Sequence, residues 1–83
     1  HPPKVEQQVR HIIGEFRKGT LDKVPIWMEK NGKTMLVTYM AVRDAAGTYL
    51  GTMELVQDMG FAKEHFLSDV KAKEAALRAG MED

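Results

Sequence analysis

Three histidines, one serine, six methionines and a scatter of carboxylates are the groups in this 83-residue chain that could carry chemistry. His1, His11 and His65 stand far apart, and no H-x-x-x-H, C-x-x-C or clustered carboxylate spacing accompanies them, so no metal centre is predicted. His11 and His65 fall off the apolar stripes of their segments and are expected to face solvent. His1 stays open between a place near a pocket mouth and a plain chain end. Asp44 sits where a side chain forms a turn, and Glu54 and Asp58 fall on an outer face or a strand end. General acid–base catalysis needs two carboxyls held in one pocket with separated pKa values, and nothing places these three so. Ser68 is the single serine, in a polar helical stretch without a base to activate it. The glycines make neither G-x-x-x-x-G-K nor G-x-G-x-x-G. The chain is expected not to be an enzyme, no catalytic or metal-binding residue is assigned, and no cofactor can be named.

The methionines point elsewhere. Met28, Met35 and Met53 are expected to share one sheet face with Tyr39, under a helix carrying Ile12 and Phe16. Flexible thioethers suit an adaptable pocket for an apolar or planar ligand, and a buried phenol seeks a hydrogen-bond partner. Ile12, Phe16, Met28, Met35, Tyr39 and Met53 are thus the ligand-pocket candidates. The same residues also suit an ordinary core, and both readings stand at this point.

The elements that would position them follow from periodicity. Val5, Val9, Ile12, Ile13 and Phe16 recur at the spacing of one helical face, after prolines tolerated at a helix start and before a terminating Gly19. A helix is predicted over about 3–18. Strands are predicted over about 24–30, 34–43 and 49–58, and a second helix over about 61–79. Asn31-Gly32 is the strongest hairpin signal, since both residues tolerate the positive φ of a type I′ turn. Asp44-Ala45-Ala46-Gly47 predicts a type I turn closed by a bulge at Gly47. The fold class is α+β: helix, three-stranded antiparallel meander, helix, in a single domain spanning 1–83.

Pairing Lys30 with Lys33 and Asp44 with Thr48 sets the faces. Val24, Ile26, Met28, Met35, Val37, Tyr39, Ala41, Gly51, Met53 and Leu55 fall together on the side the first helix should cover. Trp27, Leu36, Thr38, Met40, Val42, Leu50, Thr52, Glu54 and Val56 fall on the other. That second side is too apolar to stand in water. Its cover is the C-terminal helix, another part of a parent protein, or a second copy of the chain. Trp27, Leu36, Met40, Val42, Leu50 and Val56 are the dimer-interface candidates. The C-terminal helix offers Phe66, Leu67, Val70 and Leu77, interrupted by Lys73 and Glu74. It either docks on its own sheet or serves as a dimer seam or signal-relay helix.

Composition excludes several classes. Twelve basic and twelve acidic residues cancel, which leaves no electrostatic footprint for nucleic acid or an anionic membrane. Near-zero charge also offers little resistance to self-association. Cysteine is absent, and no apolar run reaches the ~20 residues of a membrane-spanning helix. The opening His1-Pro2-Pro3 predicts a piece of a longer polypeptide, with a cytoplasmic setting as the default.

The stretch Val42-Arg43-Asp44-Ala45-Ala46-Gly47-Thr48-Tyr49-Leu50-Gly51-Thr52-Met53-Glu54-Leu55-Val56-Gln57-Asp58-Met59 resembles the last hairpin of PAS domains. There a strand enters an Asp-x-x-Gly turn, the returning strand carries a glycine, and an Asp-Ile-Thr-like end leads into a helix. His1-Pro2-Pro3-Lys4, the amphipathic helix and the strand around Trp27 narrow the likeness. They resemble the PAS-like domain at the C-terminus of bacterial and archaeal proteins that also carry a hemerythrin-type domain. The resemblance covers most of residues 1–60. Two departures stand out: the two strands and short helices that open a complete PAS domain are absent, and the terminal motif reads Asp58-Met59-Gly60. The resemblance implies a PAS-like half-fold and a sensory or interaction module with a small-molecule ligand, a homodimeric state and other domains of a parent protein as partners. A ligand-free structural accessory to a neighbouring metal-binding domain is the alternative. Because strands of the full fold are missing, an exposed sheet edge is expected.

Overall fold

A computed structural model describes residues 3–80; His1 and the expectation attached to it lie outside them. Helix α1 spans Pro3–Lys18, strands β1, β2 and β3 span Lys23–Lys30, Lys33–Arg43 and Tyr49–Asp58, and helix α2 spans Gly60–Arg78. The strands form one antiparallel sheet in the order β1-β2-β3. The α+β arrangement read from periodicity is the one the molecule adopts.

Local chemistry explains each boundary. Helix α1 ends in a Schellman motif: Gly19 takes φ +79°, its N–H donates to the Phe16 carbonyl, and Thr20 N–H donates to the Glu15 carbonyl, both at 3.1 Å. Asn31 and Gly32 adopt φ +53° and +75°, as a type I′ turn requires, and pair Lys30 with Lys33, Met28 with Met35, Ile26 with Val37 and Val24 with Tyr39. At the second turn Asp44 Oδ1 accepts the N–H groups of Ala46 and Thr48, both at 2.9 Å. Asp44 N–H also donates to the Thr48 carbonyl, at 3.0 Å.

Beyond that turn the register departs from expectation. Arg43 pairs with Tyr49, but Val42 pairs with Gly51, so Leu50 is an extra residue in β3. From there Ala41 pairs with Thr52, Tyr39 with Glu54 and Val37 with Val56. A one-residue slip moves every side chain to the opposite face. Met53 and Leu55, expected under α1, lie on the outer face, and Gly51 goes with them; Thr52, Glu54 and Val56, expected outside, lie on the inner one.

The core is small. Ile12, Phe16, Val37 and Tyr39 are buried, with Val9, Val24, Ile26, Met28, Ala41 and Tyr49 packed around them. Helix α1 covers only one end of the inner face. Helix α2 buries no residue at all, so it does not dock on its own sheet. It is tied down at its first turn: Met59 N–H donates to the Thr34 carbonyl at 2.8 Å, and Asp58 Oδ1 accepts Gly60 N–H at 2.9 Å in place of a capping hydroxyl. Lys63 Nζ reaches Thr34 Oγ1 at 3.2 Å and Glu29 Oε1 at 3.5 Å. The radius of gyration is 19.1 Å, against about 12 Å for a compact chain of this length. The projecting rod of α2 accounts for the difference. Among the described residues no helix is long and apolar enough to cross a membrane.

Candidate functional site: a half-open groove between α1 and the sheet

Where α1 leaves the inner face uncovered, a groove of about 410 Å³ opens over β1, β2 and β3. Met28, Met35, Val37, Tyr39 and Val56 line it, Val5 of α1 closes one side, and Glu29, Lys30 and Glu54 stand at its edges. Strand alternation puts Met28, Met35, Tyr39 and Val56 on one surface, and the Leu50 slip adds Glu54 to it.

Glu54 is the polar feature of this surface. Its Oε1 lies 3.5 Å from the Tyr39 hydroxyl, a long contact in which the phenol donates. Both groups keep hydrogen-bonding capacity for a third partner. Burial first, then the charge and hydrogen bond of Glu54, raise the Tyr39 pKa above its usual value. The phenol is therefore a protonated donor at neutral pH.

A raised folded-state pKa contributes stability that is present below the unfolded value of about 10 and is lost as pH climbs through the folded value. Urea midpoints followed from neutral to strongly alkaline pH should therefore fall less steeply in Tyr39→Phe than in the wild type. Parallel curves would show that Tyr39 titrates alike folded and unfolded.

The pocket candidates divide into three groups. Met28, Met35 and Tyr39 do line the groove. Ile12 and Phe16 belong to the closed core beside it. Met53 is on the opposite face and takes no part. Val5, Glu29, Lys30, Val37, Glu54 and Val56 are lining residues that the expected pocket omitted. A glycine inside a strand often marks a bulge, and Gly51, beside Leu50, carried that signal.

The outer face holds Trp27, Leu36, Met40 and Val42 of the expected interface set, with Met53 and Leu55 in addition. Val56 is a correction: it lies on the inner face, 55% exposed. Leu50 is the extra residue of β3 and is also exposed. Trp27 is 61% exposed; with Thr34, Met59, Ala62, Lys63 and Phe66 it lines a smaller notch where α2 leaves the sheet. Phe61 and Phe66 of α2 are 82% and 65% exposed. His11 and His65 face solvent as expected, and no cluster among the described residues could hold a metal ion.

A helix across an antiparallel meander, with a groove between them and a helix leading away, defines the class. Residues 1–60 match the PAS domain family, and the chain belongs to it. A crystal structure of a C-terminal domain from Streptococcus mutans is similar, with a TM-score of 0.69 and 44% sequence identity. The likeness covers 77% of this chain and 49% of that one, so the chain spans about half the length of that relative. No curated protein matches it.

Proposed function

We propose that this PAS domain is a signal-input and interaction module without catalysis of its own. Its groove accepts a small apolar or planar molecule, and its exposed apolar surfaces relay occupancy through self-association, beside a hemerythrin-type domain in a longer parent protein. The observation that carries the reading is the groove. Its volume of about 410 Å³ lies within the ~300–1,000 Å³ of ligand sites. It is lined by two thioethers, three valines and one phenol–carboxylate pair, with Glu29 and Lys30 beside them, a mainly apolar surface with a few polar groups to orient a ligand. Family membership supports sensing as a class and specifies no ligand.

The test joins native mass spectrometry and visible absorbance of the purified protein to titration with anilinonaphthalene sulfonate, an apolar planar probe. Val5→Trp fills the groove from α1 without touching the outer face. A bound small molecule or a saturable probe signal, lost in Val5→Trp, is expected. A ligand-free protein whose probe signal is the same in Val5→Trp would leave a purely structural accessory to a metal-binding neighbour as the better account.

A further inference from the structure

The groove has one polar end, and that end can only accept hydrogen bonds. Tyr39 donates its single O–H to Glu54 Oε1 across 3.5 Å. Burial and the neighbouring carboxylate raise the Tyr39 pKa, so the phenol keeps its proton at neutral pH. What meets an incoming molecule is therefore the phenol oxygen with its lone pairs and the second carboxylate oxygen, Glu54 Oε2. Among the described residues no lysine, arginine or histidine pairs with Glu54.

The other charges along the groove do not supply a donor there. Glu29 is engaged elsewhere: it accepts the Thr34 hydroxyl at 2.6 Å and stands 3.5 Å from Lys63 Nζ. Lys30 shares the inner face but pairs with Lys33 at the hairpin, and residues 33 to 39 of β2 put roughly 20 Å of strand between that end and Tyr39. This exceeds the Debye length of about 8 Å at physiological ionic strength, so the ammonium offsets the carboxylate little. Between the two ends Asp58, opposite Met35, adds an acid and not a base. An anionic ligand would find no donor beside Glu54 and would oppose its charge. A wholly apolar one would strip water from a carboxylate and leave it unsatisfied.

We infer that the ligand of this groove is a small molecule with an apolar, planar body and a protonated nitrogen, an amine or amidinium, whose N–H groups reach Glu54 and the Tyr39 oxygen. The inference rests on the reading that the groove binds a small molecule, and names the chemical class. The body lies against Met28, Met35, Val37 and Val56, where thioethers adjust to the shape of a ring. The nitrogen sits beside the slack Tyr39–Glu54 contact and makes hydrogen bonds to an ionised acceptor, which are shorter and stronger than neutral ones. The Leu50 irregularity is what sets Glu54 opposite Tyr39 and so gives the groove its charge.

Three probes with one ring body test the charge. Naphthamidine is a cation, naphthamide is neutral and naphthoate is an anion. In calorimetric titrations naphthamidine should bind about tenfold or more tighter than either of the others. Glu54→Gln keeps the shape of the side chain and removes its charge, and should cut that preference to about twofold or less. Asp69→Asn changes the net charge equally but lies on α2, where Asp69 pairs with Lys73, and should leave the preference unchanged. Val5→Trp should abolish binding of all three. A preference as strong in Glu54→Gln as in the wild type, or naphthoate binding tightest, overturns the assigned class while the groove remains a ligand site. A preference found in this chain and lost in a longer parent polypeptide would show that a basic side chain of that polypeptide occupies the site, and overturns the class as well. No saturable signal from these probes or from anilinonaphthalene sulfonate, or binding that survives Val5→Trp, overturns both readings.

Discussion

Phe16→Ala is expected to leave this chain without a cooperative unfolding transition. Among the described residues Phe16 is the one large side chain with no exposed surface, 0%. With Ile12 it forms the whole α1 contribution to a buried set of four hydrophobic residues. Emptying such a site costs about 3–5 kcal/mol, because the transfer energy of the ring is lost and a cavity remains. Domains carry ~0.05–0.15 kcal/mol per residue of stability, and a core this small belongs at the lower end, near 4 kcal/mol. The loss matches the total. Far-UV circular dichroism should show depleted helix and strand, and a urea titration should show a broad, sloping change. A sharp transition with a midpoint near that of the wild type would mean that α1 is not what holds the sheet.

Arg43→Met should cost about 2 kcal/mol and act at a distance from the groove. The guanidinium donates to the carbonyl of Phe16 at 2.7 Å, to Asp22 Oδ1 at 2.9 Å and to the carbonyls of Leu21 and Gly47 at 3.3 and 3.4 Å. It also stands 6.0 Å from the centre of the Tyr49 ring. One side chain thereby joins the end of α1, the loop into β1 and the turn after β2. Hydrogen bonds from a charged donor contribute ~1.5–3 kcal/mol where they are shielded, and methionine keeps the packing of the stem while removing them. Asp22 is exposed, so its ion pair with Arg43 should itself be worth under about 1 kcal/mol. Urea midpoints for Arg43→Met and Asp22→Asn separate the two contributions. Equal losses would show that the ion pair matters more than the carbonyls it accompanies.

How far the amino acids announce this arrangement differs from element to element. The first hairpin is legible in full, because Asn31-Gly32 leaves a single two-residue loop and so a single register. The stripe from Val5 to Phe16 reads as a helix with one sticky side, and Gly19 ends it where a left-handed residue should. The second hairpin reads correctly only as far as Tyr49. Its turn chemistry is local and visible in Asp44 and Gly47, whereas the extra residue at Leu50 has only a strand glycine to betray it. Face assignment depends on parity, so that single omission reversed Met53 and Leu55 with Glu54 and Val56. The groove was accordingly half legible: Met28, Met35 and Tyr39 precede the slip, and Glu54 and Val56 follow it. Helix α2 shows a different limit. Its stripe of Phe66, Leu67, Val70 and Leu77, broken by Lys73 and Glu74, states that some contact is wanted but not which. Periodicity reports a demand for burial and is silent about the supplier.

The supernumerary Leu50 makes the lining of the cleft depend on where the returning strand bulges rather than on residue identity. Were all ten residues of β3 paired without the bulge, the same letters would turn Met53 and Leu55 beneath the helix and swing Glu54 out to water. A cleft floored with hydrocarbon alone and a cleft bearing an acid next to a phenol thus differ by one bulge, with no side chain in the returning strand exchanged.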